Sequence, residues 1–511
     1  MSHTVLPGPE KAENGEAKIG SALESEPPRE SSSFYHCVRC NGGLERQEQD
    51  GLRCNVCRAF YPSIEGVEVF VSNPDPLLRN HVEFLPEKRK EIEAQRVKVR
   101  DAYDEELHAP ESLAVMERDF EGQLANLELI EQVMESATQY VNGRSQPKSF
   151  FDDLAGGGWP ALEMLPYFYR DWGGTKEAEE LNRLFTGDIE RFCRERESVA
   201  VLGCGACGLV YQVAELFPVT FGVELAIDTL LLAKRLLDGG DFTLHYSAPK
   251  SNFPISQKVV KVEGAGRKRE GINLLVANVN QLPFRSSSLS CVITQYLMDI
   301  VPSQRRVVTE INRVLAPGGV WLDFSLPLSM SAADQFNRLN MPQFFQRFGF
   351  KLLDQSMHRF THLDMTPLSE WAWSFTQTPV SCAVEKVSLP VKARPNYFAE
   401  YFAGTSDAVW DKIPRRVVDV SLVHERQFRG DGVRESKGLA VLHLNDPRPA
   451  KLGVRNETAV LIEWFLRTMD GVRTVREIFD LMREDYADFI QPDEVLNFFN
   501  SLEEASYIEI D

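Results

Sequence analysis

The sequence predicts an α/β fold, a doubly wound, mainly parallel Rossmann-like sheet with smaller units attached at both ends. Three observations carry this prediction. Short apolar runs SVAVLG, VTFGVEL, INLLVAN, LSCVITQYL and GVWLDFSL read as buried strands. The segments YQVAELF, IDTLLLAKRLL and SQRRVVTEINRVL read as helices between them. A glycine run, VAVLGCGACGLVYQVAEL, joins the first strand to the first helix. Strands and helices that alternate in this way pack as a parallel sheet covered on both faces.

Bulk properties bound the rest. A chain of 511 residues divides into roughly three or four domains. Hydrophobic residues make up 43% and charged residues 26%, which suits a globular protein with a sizeable interior. No apolar stretch approaches the roughly 20 residues needed to cross a bilayer. The opening MSHTVLPGPEKAENGEAKIG lacks the basic-then-apolar order of a secretory signal. A net charge of −19 repels phosphate backbones, so nucleic acid is disfavoured as a partner. Nine cysteines, an odd total with two tight pairs, fit a reduced compartment and a metal site better than a disulfide framework. A cytoplasmic protein is expected.

The organisation follows from composition. Residues 1–32, rich in Pro, Glu, Ser and Gly, bury too little apolar surface to offset ordering entropy and read as a disordered tail. Residues 33–75 hold the cysteine pairs. Residues 76–165 show three- and four-residue apolar spacing among long charged stretches, the pattern of a helical connector. Residues 166–390 hold the alternating strands and helices, interrupted from His245 to Gly271 by a Pro-, Ser-, Gly- and Lys-containing insertion or flap. Residues 391–452 read as an irregular linker. From 453 to 511 three amphipathic helices and a terminal strand are expected, with Asp470-Gly471 as a turn.

Cys37-x-x-Cys40 and Cys54-x-x-Cys57 have the spacing of two metal knuckles, each offering two thiolates from a tight turn. Four such ligands close a tetrahedral site suited to Zn2+ and leave no open position, so the ion is structural. The text CVRCNGGLERQEQDGLRCNVCRAFYPSIEGVEVFV resembles the small zinc-ribbon proteins that accompany and activate certain methyltransferases. Tyr61, Pro62 and Gly66 match their Tyr-Pro-x-x-x-Gly run, and the resemblance implies a docking or stability module.

Gly203, Gly205 and Gly208 lie where a strand passes into a helix, and let backbone approach a nucleotide-like ligand closely. Glu224 ends the next strand, placed to accept from ribose hydroxyls. Neither feature separates a dehydrogenase from other nucleotide binders. Ala277-Asn278-x-x-x-Leu282-Pro283-Phe284 and INRVLAPGGVWLDF resemble segments of class I methyltransferases that use S-adenosylmethionine. The first resemblance implies an adenine contact at Asn278, where that family usually carries an acidic residue. Cys204, Val279 and Gln295 complete the expected cofactor contacts.

YFYRDWGGTKEAEELNRLF, with the glycine run after it, and CVITQYLMDIVPSQRRVVTEINRVLAPGGVWLDFSLPL resemble the carnosine N-methyltransferase family. The resemblance spans Tyr167 to Lys386 and implies that Arg170 pairs with the methionine carboxylate and that Asp299 binds an acceptor imidazole. A carboxylate there accepts an N–H and aims the opposite lone pair at the methyl group, where alignment matters more than basicity. As an alternative, Asp299 caps the following helix. The family's substrate histidine is replaced by Met330. At the C-terminus, NETAVLIEWFLRTMDGVRTVREIFDLM through EVLNFFNSLEEASYIEI resembles PqqD-like winged-helix modules that bind leader peptides; alternatively it is a small helical domain packed on the enzyme.

The expected function is therefore methyl transfer to a small-molecule or peptide nitrogen, possible partners at the C-terminal domain being peptides or proteins. An RNA methyltransferase guided by the zinc ribbon and a non-catalytic S-adenosylmethionine-binding scaffold are the alternatives.

Overall fold

The computed structural model describes residues 31–47, 51–144, 160–247, 257–301, 303–326, 341–363, 375–390, 396–416, 419–429, 432–442, 450–452, 464–465, 467–486, 491–504 and 508–510. Residues 1–30 of the expected tail, and Met330, lie outside them; the tail's last two residues instead open a short 3-10 turn, Ser31–Phe34.

An eleven-stranded sheet organises the chain. Its centre is β5 (Ser198–Leu202), whose five residues are all buried, as expected for a strand covered on both faces. Period-two alternation divides its side chains: Val199 and Val201 join one core cluster, Ala200 and Leu202 the other. To one side lie β6 (Val219–Glu224) and β9 (Ile272–Ala277); to the other lie β10 (Leu289–Gln295) and β11 (Leu315–Ser325), all parallel to β5. Strand order therefore reverses at β5, because β6 and β10 leave it in opposite directions. Beyond β11 come β15 (Val380–Lys386), antiparallel, and β12 (Phe350–Met357) at the edge.

The opposite edge belongs to the cysteine unit. Its four strands, β1 (Leu44–Gln47), β2 (Gly51–Cys54), β3 (Phe60–Ile64) and β4 (Val67–Phe70), form an antiparallel meander. β4 then pairs in parallel with β9 through Glu68↔Leu275, Val69↔Val276 and Phe70↔Ala277. The ribbon thus extends the sheet and covers an edge that would otherwise expose unpaired backbone.

The connector consists of α1 (Pro74–Asp101), α2 (Pro110–Val133) and α3 (Glu135–Asn142). Leu78, Leu85 and Ile92 of α1 and Leu127 and Ile130 of α2 face the same core as α4 (Ala161–Trp172), α5 (Lys176–Phe192) and α7 (Ile227–Leu237). Half-buried pairs such as Arg96–Glu117 at 2.6 Å line the α1–α2 seam. The buried contact is His81 Nδ1 with Asp228 Oδ1 at 3.3 Å. Burial alone would raise the Asp228 carboxyl, but His81 and the N–H groups of Ala161 and Thr229 outweigh it and hold it below the usual range.

The interruption after α7 is an antiparallel hairpin, β7 (Phe242–Ser247) with β8 (Gln257–Val262). Asn126 of α2 bridges its backbone, donating to His245 O at 2.8 Å and accepting from His245 N at 3.0 Å. β13 (Phe360–His362) and β14 (Phe375–Gln377) form a second hairpin. The segment expected to be an irregular linker is more regular than its composition conveys. β17 (Asp419–Arg429) and β18 (Gly432–Leu442) pair along their whole length, and β19 (Ala450–Leu452) adds a third strand.

The C-terminal unit also begins earlier than the apolar rhythm implies. Strand β16 (Pro414–Arg416) pairs with β20 (Ile508–Ile510), while Phe398 and Trp410 enter the core of α11 (Val475–Tyr486) and α12 (Pro492–Glu504). Helix α11 starts with a reciprocal cap: Thr474 N donates to Glu477 Oε2 at 2.8 Å, and Glu477 N donates to Thr474 Oγ1 at 3.3 Å. Of the expected first helix, residues 464–465 and 467–469 are described, and all but Met469 are helical. Asn500 donates to Ser72 Oγ at 3.0 Å, and Arg306 meets Glu503 at 3.4 Å, so this unit docks beside the ribbon–sheet junction.

Candidate active site

Ligands of open α/β sheets bind beyond the carboxyl ends of the strands, where strand order reverses. Here that point lies between β5 and β10. The glycine loop leaves β5 at Gly203, whose φ of +64° disfavours L side chains, and a Cβ there would sit 2.9 Å from Leu297 Cδ1. At Gly208 the restriction is space, since an added Cβ would come within 2.6 Å of Asp171 Cβ. Asp171 is close because its Oδ2 accepts from Gly208 N at 3.2 Å. The neighbouring Trp172 donates its indole N–H to Ala206 O at 2.8 Å. Two residues of the Arg-Asp-Trp triplet thus clip the loop from α4, a role that sequence reasoning did not assign.

Arg170 lies buried in the same place. Its Nε donates to Asp171 Oδ1 at 2.7 Å, Nη1 is 4.0 Å from Glu177 Oε1, and the guanidinium stands 5.0 Å from the Tyr167 ring. Burial opposes its charge, and the two carboxylates outweigh that and hold it protonated more firmly than usual.

Glu224 ends β6 beside the loop. Its carboxylate accepts from Gly205 N at 3.2 Å, Leu225 N at 2.7 Å and Ala226 N at 3.4 Å. Burial still pushes its carboxyl above the usual range. Cys204 and Cys207 face each other at 3.5 Å, and burial pushes the Cys204 thiol far up, so it is inert packing.

Asn278 follows β9 and closes an Asx turn, its Oδ1 accepting from Asn280 N at 3.0 Å. The following Leu-Pro-Phe is held from two sides. Arg313 of α8 (Gln304–Val314) donates to Leu282 O at 2.8 Å and Phe284 O at 2.6 Å, while Glu310 accepts from Leu282 N at 2.9 Å. From the ribbon, His36 N donates to Pro283 O at 2.8 Å, Gln281 Nε2 donates to Val38 O, and Arg285 N donates to Phe34 O at 2.8 Å. Val279 packs against this ribbon-side core.

At the end of β10, Gln295 pairs with Phe324 and is half-buried. Tyr296 follows at φ +52°, a left-handed conformation costly for a bulky residue. Its ring lies 4.5 Å from His362 and 5.4 Å from Phe324. Asp299 is buried in the next turn, four residues ahead of Ser303, the residue that precedes α8. It therefore does not cap that helix. Burial, Glu177 and Asp299 push the Tyr296 phenol up, against the charge of Arg170. The structure thus gathers Tyr167, Arg170, Glu177, Tyr296, Asp299 and His362 beside the glycine loop. Sequence reasoning found Arg170 and Asp299; only the position of Tyr296, next to Gln295, offered a signal for another.

The four cysteines form a separate cluster. Their sulfur atoms all lie within 4.8 Å of one another, with Cys37–Cys57 at 3.5 Å and Cys40–Cys54 at 3.4 Å. A tetrahedron with metal–sulfur bonds of about 2.3 Å has edges of about 3.8 Å, so the set fits a zinc ion. Tyr61 OH lies 3.0 Å from Cys37 Sγ, supporting that ligand from behind.

Residues 201–322 match the model of a methyltransferase domain. No curated protein matches the chain. Among solved structures, a methyltransferase of Bacillus halodurans C-125 is 14% identical, covering 40% of this chain and 98% of that one, with a TM-score of 0.29. The complex of a methyltransferase activator with a methyltransferase from Haloferax volcanii is 14% identical, with coverages of 48% and 100% and a TM-score of 0.28. An RNA methyltransferase from Pyrococcus horikoshii is 15% identical, with coverages of 41% and 86% and a TM-score of 0.28. With its strand order, its glycine loop and the match over residues 201–322, the chain carries a class I methyltransferase fold joined to an N-terminal four-cysteine ribbon.

Proposed function

We propose that the protein is an S-adenosylmethionine-dependent N-methyltransferase acting on a small molecule or peptide, with an imidazole-type nitrogen as the preferred acceptor. The observation that carries this reading is the placement of the buried Asp299 and the aromatic rings of Tyr167 and Tyr296 beside the glycine loop. When bound, S-adenosylmethionine supplies an electrophilic methyl group on a sulfonium. Gly203, Cys204, Gly205 and Gly208 give it a close backbone cradle, Glu224 takes the ribose hydroxyls, and Asn278 and Val279 border the adenine. Arg170 contributes positive charge for the methionine carboxylate, and Gln295 closes the β10 side. Asp299 accepts the N–H of the acceptor and orients its lone pair, which supplies alignment rather than strong basicity.

The other parts serve this site. Structural zinc keeps the ribbon folded against the loop after β9. The C-terminal unit, by its PqqD-like resemblance, is the place for a peptide or protein partner. No described helix is long and apolar enough to cross a membrane. A cytoplasmic setting and exclusion of nucleic acid belong to the same proposal, resting on the free cysteines and the net charge of −19.

The test offers methyl-labelled S-adenosylmethionine and purified protein to cell extract split into small-molecule, peptide and RNA fractions. Label is expected in the first two; label in RNA overturns the acceptor assignment, and no label favours a binding scaffold. Asp299→Asn is expected to leave S-adenosylhomocysteine affinity unchanged and to lower turnover by roughly 10- to 100-fold. Full turnover in that variant removes Asp299 from the mechanism.

A further inference from the structure

A carboxylate–histidine pair lies in the acceptor cluster and has no part in the scheme above. His362, the last residue of β13, places Nδ1 2.8 Å from Glu177 Oε1. Both side chains are buried. The other oxygen of Glu177 accepts from Leu363 N at 2.7 Å, so the carboxylate is held at both ends. Its helix α5 is fixed at its start, where Thr175 Oγ1 accepts from Ala178 N at 3.2 Å and donates to Arg170 O at 2.7 Å. The pair therefore ties helix α5 to the β13–β14 hairpin.

A carboxylate on Nδ1 selects the tautomer with the proton on Nδ1 and leaves the Nε2 lone pair exposed to whatever the ring faces. This ring faces the acceptor cluster: Tyr296 at 4.5 Å and Tyr167 at 5.9 Å between ring centroids. The Tyr296 hydroxyl is itself buried without a hydrogen-bond partner among the described residues, on a backbone at φ +52°. A buried polar group left unmatched is costly, and together with strained backbone it marks a site that completes itself with a ligand. The charged and titratable groups around the ring are Glu177, Arg170 and Tyr167 from the α4–α5 side and Tyr296 and Asp299 from the β10 side.

Resting on the N-methyltransferase reading, we propose that His362 is the general base that removes the acceptor's proton, that Glu177 is its positioning residue, and that Tyr296 donates a hydrogen bond to the acceptor. The site then takes a planar, protonated nitrogen heterocycle beside the two tyrosine rings, one of its N–H groups on Asp299 and the other on His362. The acceptor nitrogen first gives its proton to His362 Nε2, and the lone pair so freed then forms a bond to the methyl carbon. The carbon–sulfur bond breaks, its electron pair stays on sulfur, and the products are the N-methylated acceptor and S-adenosylhomocysteine. The imidazolium left on His362 is balanced by Glu177 and returns its proton to solvent. Asp299 aligns the acceptor from the opposite side, so orientation and proton removal are divided between two elements.

The experiment uses the full-length, zinc-loaded protein bound to S-adenosylhomocysteine, with histidine labelled for nitrogen NMR and the His362 signal assigned by its loss in His362→Asn. The wild type is expected to show the Nδ1-protonated tautomer, and its Nε2 signal should move when 4-methylimidazole is added. Glu177→Gln should mix the tautomers, which a purely structural carboxylate would not do. With 4-methylimidazole as methyl acceptor, His362→Asn is expected to lower kcat by roughly 100-fold or more while KM stays within about threefold. Binding of S-adenosylhomocysteine reports whether each variant is folded. A wild-type Nε2 signal indifferent to the probe, or an unchanged kcat in His362→Asn, overturns the assignment while leaving the methyltransferase reading in place. A wild-type protein that fails to bind S-adenosylhomocysteine overturns that reading and the assignment with it.

Discussion

The cofactor loop and the acceptor cluster lie side by side at the same end of the sheet, yet they are built in opposite ways. The loop is local: Gly203 to Gly208 follow one strand, and their clips, Asp171 and Trp172, come from the helix hairpin that precedes it. The cluster is assembled from afar, and its contact between Glu177 and His362 joins residues 185 positions apart. A short loop with fixed backbone angles fails when one atom is added. A cluster of side chains on separate elements loses function in parts, one role at a time. The difference predicts how steeply each region responds to change.

The largest effect is expected in the loop. Gly203→Val places a β-branched side chain at φ +64°, with its Cβ 2.9 Å from Leu297. The strain is of order 1–3 kcal/mol, and relieving it moves the backbone that must approach the ligand. S-adenosylhomocysteine affinity, measured by calorimetry, should fall by about 100-fold or more, against no change for Asp299→Asn. Equal losses in the two variants would erase the distinction between loop and cluster.

An intermediate effect is expected from the ribbon, which reaches the site through the loop after β9. Cys54→Ser, or removal of metal by a chelator, should release the ribbon's hold on Gln281, Pro283 and Arg285. Metal in four-cysteine sites is part of the folding energy, so the ribbon should unfold without it. Because Arg313 and Glu310 still hold the loop from the other side, cofactor affinity should weaken by only about tenfold, or about 1.4 kcal/mol. Metal analysis, thermal melting and calorimetry on one sample would check it. Full affinity in a metal-free, partly unfolded protein would show that the ribbon only covers the sheet edge.

The same contrast explains what was legible in the sequence. The strand–helix alternation and the glycine run are short-range patterns, and they led directly to the sheet and its loop. The cysteine pairs were legible because ligand spacing is also local. The ribbon's addition to the sheet was not, since the pairing of β4 with β9 depends on which edge the fold leaves open. Glu177 and His362 carried no signal, because neither has an informative neighbour and only tertiary packing brings them together. Tyr296 was closer to hand, directly after Gln295, but nothing in its composition announced a positive φ. The β17–β18 hairpin was overlooked for another reason. The Gly430-Asp431 dipeptide sits between strands too polar to show apolar alternation.

The smallest expected effect uses helix α5, which carries Glu177 into the cluster and Asp188 well away from it. Asp188 is half-buried, and burial together with the nearby Asp354 raises its carboxyl to about 6, only partly relieved by Arg191. The folded-state value lies above the ordinary carboxylate range, so the native protein holds the extra proton between about pH 4 and 6. Stability linked to this group is therefore fully present below about pH 4 and is lost as pH rises through about 6. Asp188→Asn removes the charge that causes the loss. Discounted for partial exposure, it should stabilise the protein by about 1 kcal/mol at pH 7, and the gain should vanish by about pH 4. Thermal melts of both proteins across that range check the sign. Since Asp188 touches neither loop nor cluster, cofactor affinity and turnover should not change. A loss of turnover in Asp188→Asn would mean that the charge balance of α5 reaches Glu177, and that the cluster is less divisible than its separate elements imply.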